Sequence, residues 1–159
     1  MTSQVLTTQA LSAFDAWVRL LRSHALVTRD LSAQLNADHG LTLNDFEALL
    51  RLARAEERSM RRVDLAGELI LTPSGVTRLL DGLEDAGYVA KATCSSDARV
   101  TYAVLTDSGH KKLEEAKCSH VAQIHALFEE RFTPKELETL AGLLGRLSGD
   151  VDSEECDSG

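Results

Sequence analysis

Apolar residues recur every three or four positions along six stretches of the chain and alternate with polar ones along two more, and this change of period places the elements. Residues 5–38 contain no Pro or Gly, and Phe14, Trp17, Val18, Leu21, Ala25, Leu31 and Leu35 mark one long amphipathic helix ending at His39-Gly40. A helix of ~30 residues is ~45 Å long and outruns a small domain, so something else must cover part of it. Thr42, with Asp45 three residues on in a capping-box relation, opens a second helix whose core face is Phe46, Leu49, Leu50 and Ala53. Glu56-Glu57-Arg58-Ser59 reads as a polar connector.

The chain is organised around residues 63–105. Val63, Leu65, Ala66 and Leu69 have helical spacing, and Ile70 and Leu71 fill a turn. Thr72 then offers an N-cap oxygen, and Pro73 takes the first helical position, where its missing N–H costs nothing. In the helix that follows, Val76, Leu79, Leu80 and Leu83 form an apolar stripe, which leaves Ser74, Gly75, Thr77, Arg78 and Asp81 facing solvent. Gly87 supplies a left-handed stop. Tyr88, Ala90 and Ala92 alternate with Val89, Lys91 and Thr93, and Val100, Tyr102 and Val104 alternate with Thr101, Ala103 and Leu105. Two strands therefore flank a loop from Cys94 to Arg99, a wing.

Thr106 caps a third long helix carrying Leu113, Ala116, Val121, Ile124, Leu127 and Phe128. Thr133-Pro134-Lys135-Glu136 combines an N-cap, a first-position proline and a capping-box glutamate, and starts a last helix with Leu137, Leu140, Leu144 and Leu147. The predicted fold is mainly α with a small two- to three-stranded antiparallel wing (α+β). Residues 1–40 form an N-terminal dimerisation helix, 41–105 a winged helix-turn-helix, 106–148 C-terminal dimerisation helices, and 149–159 an acidic, disordered tail. The terminal helices lack enough core partners within one subunit, and an isologous homodimer would bury them.

Charge refines this picture. The formal net charge is −8, but 58–101 carries six Lys and Arg against six Asp and Glu, whereas 102–159 carries six against twelve. The acid is concentrated outside the helix-turn-helix, whose own acids must sit away from any nucleic acid it binds. Cys94, Cys118 and Cys156 are odd in number and share no C-x-x-C spacing, so a disulfide framework is not expected. No apolar run approaches the ~20 residues of a membrane span, and Met1-Thr2-Ser3-Gln4 lacks a basic signal-peptide start. These features lead us to expect a reduced, cytoplasmic protein with no membrane association.

The segment Leu71-Thr72-Pro73-Ser74-Gly75-Val76 through Gly87-Tyr88-Val89 resembles the recognition helix and wing approach of the MarR family of winged-helix transcription regulators. Asp97-Ala98-Arg99, Leu105-Thr106 and Gly109 resemble that family's D-x-R…LT-x-x-G signature, and Leu41-Thr42 with Phe46, Leu49 and Leu52 resembles its second helix. Together these cover roughly two-thirds of the chain. The resemblance implies a dimeric, sequence-specific regulator, in the repressor mode, of a pseudo-palindromic double-stranded DNA operator, controlled by a small aromatic or phenolic effector bound between the dimer helices and the winged helix.

For DNA the candidates are Ser74, Thr77 and Arg78 at base edges, with Gly75 allowing close approach and Arg78 the guanine reader. Arg61 and Arg62 precede them as phosphate contacts. The resemblance places Arg99 of the wing in or near the minor groove, with Asp97 on the same side to hold it. For the effector, Phe14, Trp17 and Arg22 offer a flat apolar surface and a carboxylate partner. Cys118, His120 and His125 have offsets of two and five residues, poor for a metal on one helix face, so neither metal nor cofactor is expected. No phosphate loop, nucleophile elbow or paired-carboxylate constellation points to an enzyme. Two alternatives remain: thiol-redox sensing through Cys94, whose thiol Lys91 and Arg99 would acidify, and a winged-helix protein-interaction module, which would present apolar residues where Ser74, Thr77, Arg78 and Arg99 stand.

Overall fold

A computed structural model describes residues 12–69 and 71–148. The elements run α1 (Ala13–His39), α2 (Leu43–Arg54), β1 (Ser59–Arg61), α3 (Arg62–Glu68), α4 (Pro73–Asp85), β2 (Val89–Thr93), β3 (Thr101–Leu105), α5 (Asp107–Glu129) and α6 (Pro134–Ser148). The chain divides into two compact units, Met1–Cys118 and Ser119–Gly159. The expected tail at 149–159, Cys156 and the turn residue Ile70 lie outside the described residues.

Local chemistry sets the helix ends. Helix α1 begins at Ala13, where Ser12 and Asp15 form a reciprocal capping box, and positions 5–11 of the expected helix lie outside the described residues. It ends where Gly40 adopts φ 68° and donates its N–H to the Asn36 carbonyl. Thr42 and Asp45 form the second box, starting α2. At α4, Thr72 Oγ1 accepts the Gly75 N–H at 3.2 Å and Pro73 opens the helix. Thr133 and Glu136 cap α6 in the same reciprocal way.

The first unit is built on one core. Leu35 of α1, Leu49 and Leu52 of α2, Leu65 of α3, Leu80 of α4 and Leu113 of α5 are fully buried, and Val89, Ala103 and Leu105 close the core from the sheet. Burying a leucine side chain stabilises by roughly 1.5–3 kcal/mol, so this cluster supplies the main force that seats α4. Val63 departs from the sequence reading: it is 71% exposed, because only Leu65, Ala66 and Leu69 of its stretch turn toward the core.

The sheet has three strands in the order β1-β3-β2, all antiparallel. The wing hairpin pairs Val89 with Leu105 and Thr93 with Thr101, and each strand starts one residue later than its alternation implies. The third strand takes Ser59 from the expected connector and Arg61 from the expected start of the next helix. Glu57 and Arg58 both take positive φ (51° and 54°), which turns the chain sharply enough for Met60 to pair with Ala103. Arg58 also reaches Asp107 at the start of α5, at 3.4 Å.

In the second unit, Phe128 and Phe132 pack with ring centroids 6.3 Å apart. Helix α6 buries none of its residues fully, and Leu143 (52%) and Leu147 (75%) stand exposed.

Candidate nucleic-acid interface

The recognition surface starts from α4. Its buried stripe, Val76, Leu80 and Leu83, holds one side to the core and leaves Ser74, Thr77 and Arg78 exposed on the other. Thr77 donates its hydroxyl hydrogen to the Pro73 carbonyl at 3.0 Å, so toward a ligand its oxygen acts as an acceptor. Ser74 Oγ lies 3.2 Å from Thr72 Oγ1. Arg78 makes no ion pair among the described residues, and its five donors are free for a planar partner. Gly75 has a local reason besides close approach: a Cβ there would lie 3.2 Å from Thr72 Oγ1, the oxygen that caps the helix through Gly75's own N–H.

Beside α4, the first turn of α3 and the wing enclose a shallow cleft of about 220 Å³ lined by Arg61, Arg62, Val63, Arg99, Val100 and Thr101. Three candidate arginines, two adjacent and one from the wing, thus share one surface. They are held differently. Arg61 forms a bidentate pair with Asp64, Nε to Oδ2 at 2.6 Å and Nη2 to Oδ1 at 2.9 Å, which keeps its guanidinium firmly protonated while half of the side chain stays exposed. Arg99 is 92% exposed, and Asp97 Oδ1 accepts both its backbone N–H (3.0 Å) and its Nε–H (3.3 Å). One carboxylate therefore shapes the wing and aims its arginine. Arg62 is instead drawn inward: its side chain is 19% exposed, and Nη2 stands 3.7 Å from Asp81 and 3.6 Å from Glu84, both on α4.

Asp64, Asp81 and Glu84 are the residues that sequence reasoning left out of the site. The Arg61–Asp64 offset of three, from the residue that precedes α3 into its first turn, is a readable signal, whereas the pairing of Arg62 with α4 depends on how two helices cross. Four of the six acids of this neutral segment, Asp64, Asp81, Glu84 and Asp97, are thus engaged by its own arginines.

The wing thiol also needs correction in its cause. Cys94 is held below the usual thiol range by hydrogen bonds, first from the Ser96 hydroxyl (Sγ to Oγ 3.1 Å) and then from the Ser96 and Asp97 backbone, and not by Lys91 or Arg99. On α1, Phe14 and Trp17 share one exposed stripe at 72% and 57% exposure. Arg22 lies about 140° around the helix axis from Trp17, so one subunit does not bring the three together. His125 pairs with Glu129 at 2.9 Å, while His120 is buried.

A three-helix core, a two-stranded wing and an exposed polar α4 define a winged helix-turn-helix protein. Comparison with known proteins agrees with the geometry. The MarR family model matches residues 41–101. The chain is similar to AbsC, a MarR family transcriptional regulator from Streptomyces coelicolor, with 30% identity, a TM-score of 0.75, and coverage of 89% of this chain and 96% of that one. It is also similar to Sco3205 of the same organism, crystallised in complex with DNA, at 27% identity and TM-score 0.78 over 92% and 93% of the two chains. The HTH-type transcriptional repressor YetL of Bacillus subtilis is 29% identical over 125 residues, 74% of each chain. The chain belongs to the MarR family of DNA-binding transcriptional regulators. No helix among the described residues is long and apolar enough to cross a membrane.

Proposed function

We propose that this regulator acts as a homodimeric repressor on a pseudo-palindromic operator, with α4 entering the major groove. The observation that carries the reading is the exposed set Ser74, Thr77 and Arg78 set directly opposite the buried Val76, Leu80 and Leu83. A protein-docking module would place apolar side chains there. Arg78 reads a guanine edge, Ser74 and Thr77 contact bases or phosphates, Arg61 holds a phosphate, and Arg99, aimed by Asp97, enters the minor groove. The similarity to the repressor YetL supports the direction of control. Exposed Phe14, Trp17 and Leu21 on α1, with Leu143 and Leu147 on α6, support burial against a second copy.

Regulation follows from the same surfaces. An aromatic carboxylate seated against Phe14 and Trp17, with Arg22 supplied by either subunit as its charge partner, would shift the dimer only by binding one arrangement better than the other. Linkage then requires DNA to weaken the ligand as much as the ligand weakens DNA. Footprinting on a duplex selected from a random pool tests the core of this reading. Two protected half-sites about 10 bp apart are expected, and a single asymmetric half-site at saturation overturns it. Quenching of Trp17, the only tryptophan, by aromatic carboxylates is expected to weaken when the selected duplex is bound.

A further inference from the structure

We infer that Arg62 is a positioning residue that sets the recognition helix through Glu84, and that it is not itself a ligand of the DNA. The inference rests on the operator-binding reading above. Three observations carry it. Arg62 is the first residue of α3, yet its side chain is only 19% exposed, unlike Arg61 beside it at 50% and Arg99 across the cleft at 92%. Its Nη2 lies between two carboxylates one turn apart on α4, 3.6 Å from Glu84 Oε1 and 3.7 Å from Asp81 Oδ1. Arg62 Nη2 and Glu84 Oε1 are buried atoms with no hydrogen-bond partner, so each is the other's principal compensation.

A buried charge that loses its partner is costly, so rotating or sliding α4 away from α3 is opposed by more than lost apolar contact. Burial of leucines is non-directional, whereas an ion pair depends on where its charges stand. A guanidinium clamped between residues 81 and 84 fixes one register. Asp81 lies on the same α4 face as Ser74 and Thr77, and is 61% exposed. Arg62 therefore also neutralises the carboxylate nearest the reading surface. Reaching a phosphate with Nη2 would require that atom to leave both carboxylates.

The test uses the full chain, a duplex selected from a random pool by the wild-type protein, and a scrambled duplex. Affinities are measured over a range of salt for Arg62→Gln, Glu84→Gln, the double variant and Arg62→Lys, with thermal melts run alongside. Arg62→Gln and Glu84→Gln are each expected to weaken binding to the selected duplex about tenfold, as coupled neighbours do. The double variant is expected to be no weaker than either single one, Arg62→Lys to recover most of the loss, and the salt dependence to stay that of wild type. A phosphate contact gives a different pattern: Arg62→Gln lowers the salt slope by about one while Glu84→Gln binds as well as wild type or better. That result overturns the inference, as does wild-type affinity in every variant with only a lowered melting temperature. If Arg62→Gln does not fold, Glu84→Gln, which keeps the cation, decides between the same outcomes. Failure of the wild-type protein to select any duplex would sink the operator-binding reading instead, and is seen before any variant is made.

Discussion

Gly109 lies directly against the backbone of Tyr88: a Cβ on Gly109 would overlap the Tyr88 carbonyl oxygen and come within 2.8 Å of Leu105 Cδ1. The same carbonyl accepts the Thr106 N–H at 3.1 Å, Thr106 Oγ1 donates to the Gly87 carbonyl at 2.7 Å, and the Gly109 N–H closes on Thr106 Oγ1 at 3.0 Å. The end of α4 and the start of α5 are thereby joined without a linker. This gives a physical reason for the spacing Thr106-x-x-Gly109: a hydroxyl to cap one helix and bond the other's end, and a bare Cα to let the two backbones meet.

Gly109→Ala should therefore destabilise the fold by about 1–3 kcal/mol, the usual cost of forcing a methyl group into a packed site. Gly67 on α3 is the control, since nothing lies within 4 Å of a Cβ there. Gly67→Ala should stabilise by roughly 0.5–1 kcal/mol through helix propensity. Urea denaturation of both variants checks this, and equal small effects would show that the Gly109 contact relaxes freely.

Arg78→Ala and Arg61→Ala should fail in different ways. The first should cost about 1–3 kcal/mol on the selected duplex and relax preference at one base position, with the scrambled duplex little affected. The second should weaken all sequences alike and reduce the salt slope by about one. Binding isotherms at four salt concentrations separate them, and equal losses for Arg78→Ala on both duplexes would make it a phosphate contact.

The wing thiol offers a prediction about cause. Because the Ser96 hydroxyl is the first influence holding the Cys94 thiol down, Ser96→Ala should raise its pKa and slow alkylation by iodoacetamide near pH 8, where the thiolate reacts. Lys91→Ala should leave the rate nearly unchanged. A larger effect from Lys91→Ala would restore the cationic explanation.

His120 makes stability depend on pH. Burial lowers its pKa from the ordinary 6.5, so the folded state favours the neutral ring while the unfolded chain takes up a proton more readily. The group's contribution is thus complete above about pH 6.5 and is lost as pH falls below it. Urea midpoints measured from pH 8 to 5 should fall more steeply for wild type than for His120→Gln. Parallel curves would mean that the ring takes up its proton equally readily in the folded and unfolded states.

Most of the architecture was legible because it depends on near neighbours. Thr42-Asp45 and Thr133-Glu136 cap through three-residue offsets, Thr72-Pro73 and Gly87 bound α4, and a helical stripe separates Val76, Leu80 and Leu83 from Ser74, Thr77 and Arg78. Hydrogen bonds of this range follow from residue type and spacing alone, and so did the resemblance to the MarR family. The tertiary structure decided what depends on residues far apart in the chain. Strand β1 exists because Met60 meets Ala103, 43 positions away, after a left-handed turn at Glu57 and Arg58 that no glycine announces. Val63 is exposed because a helix as short as α3 can turn only part of its surface to the core. The arginines divide for the same reason: Arg61 finds its carboxylate three residues on, in the helix it precedes, whereas Arg62 finds its partners on another helix and is half-buried by them. Charge and spacing name the residues that could meet DNA, but which of their charges remain free is set by packing, since a guanidinium bonds the nearest carboxylate that the fold delivers.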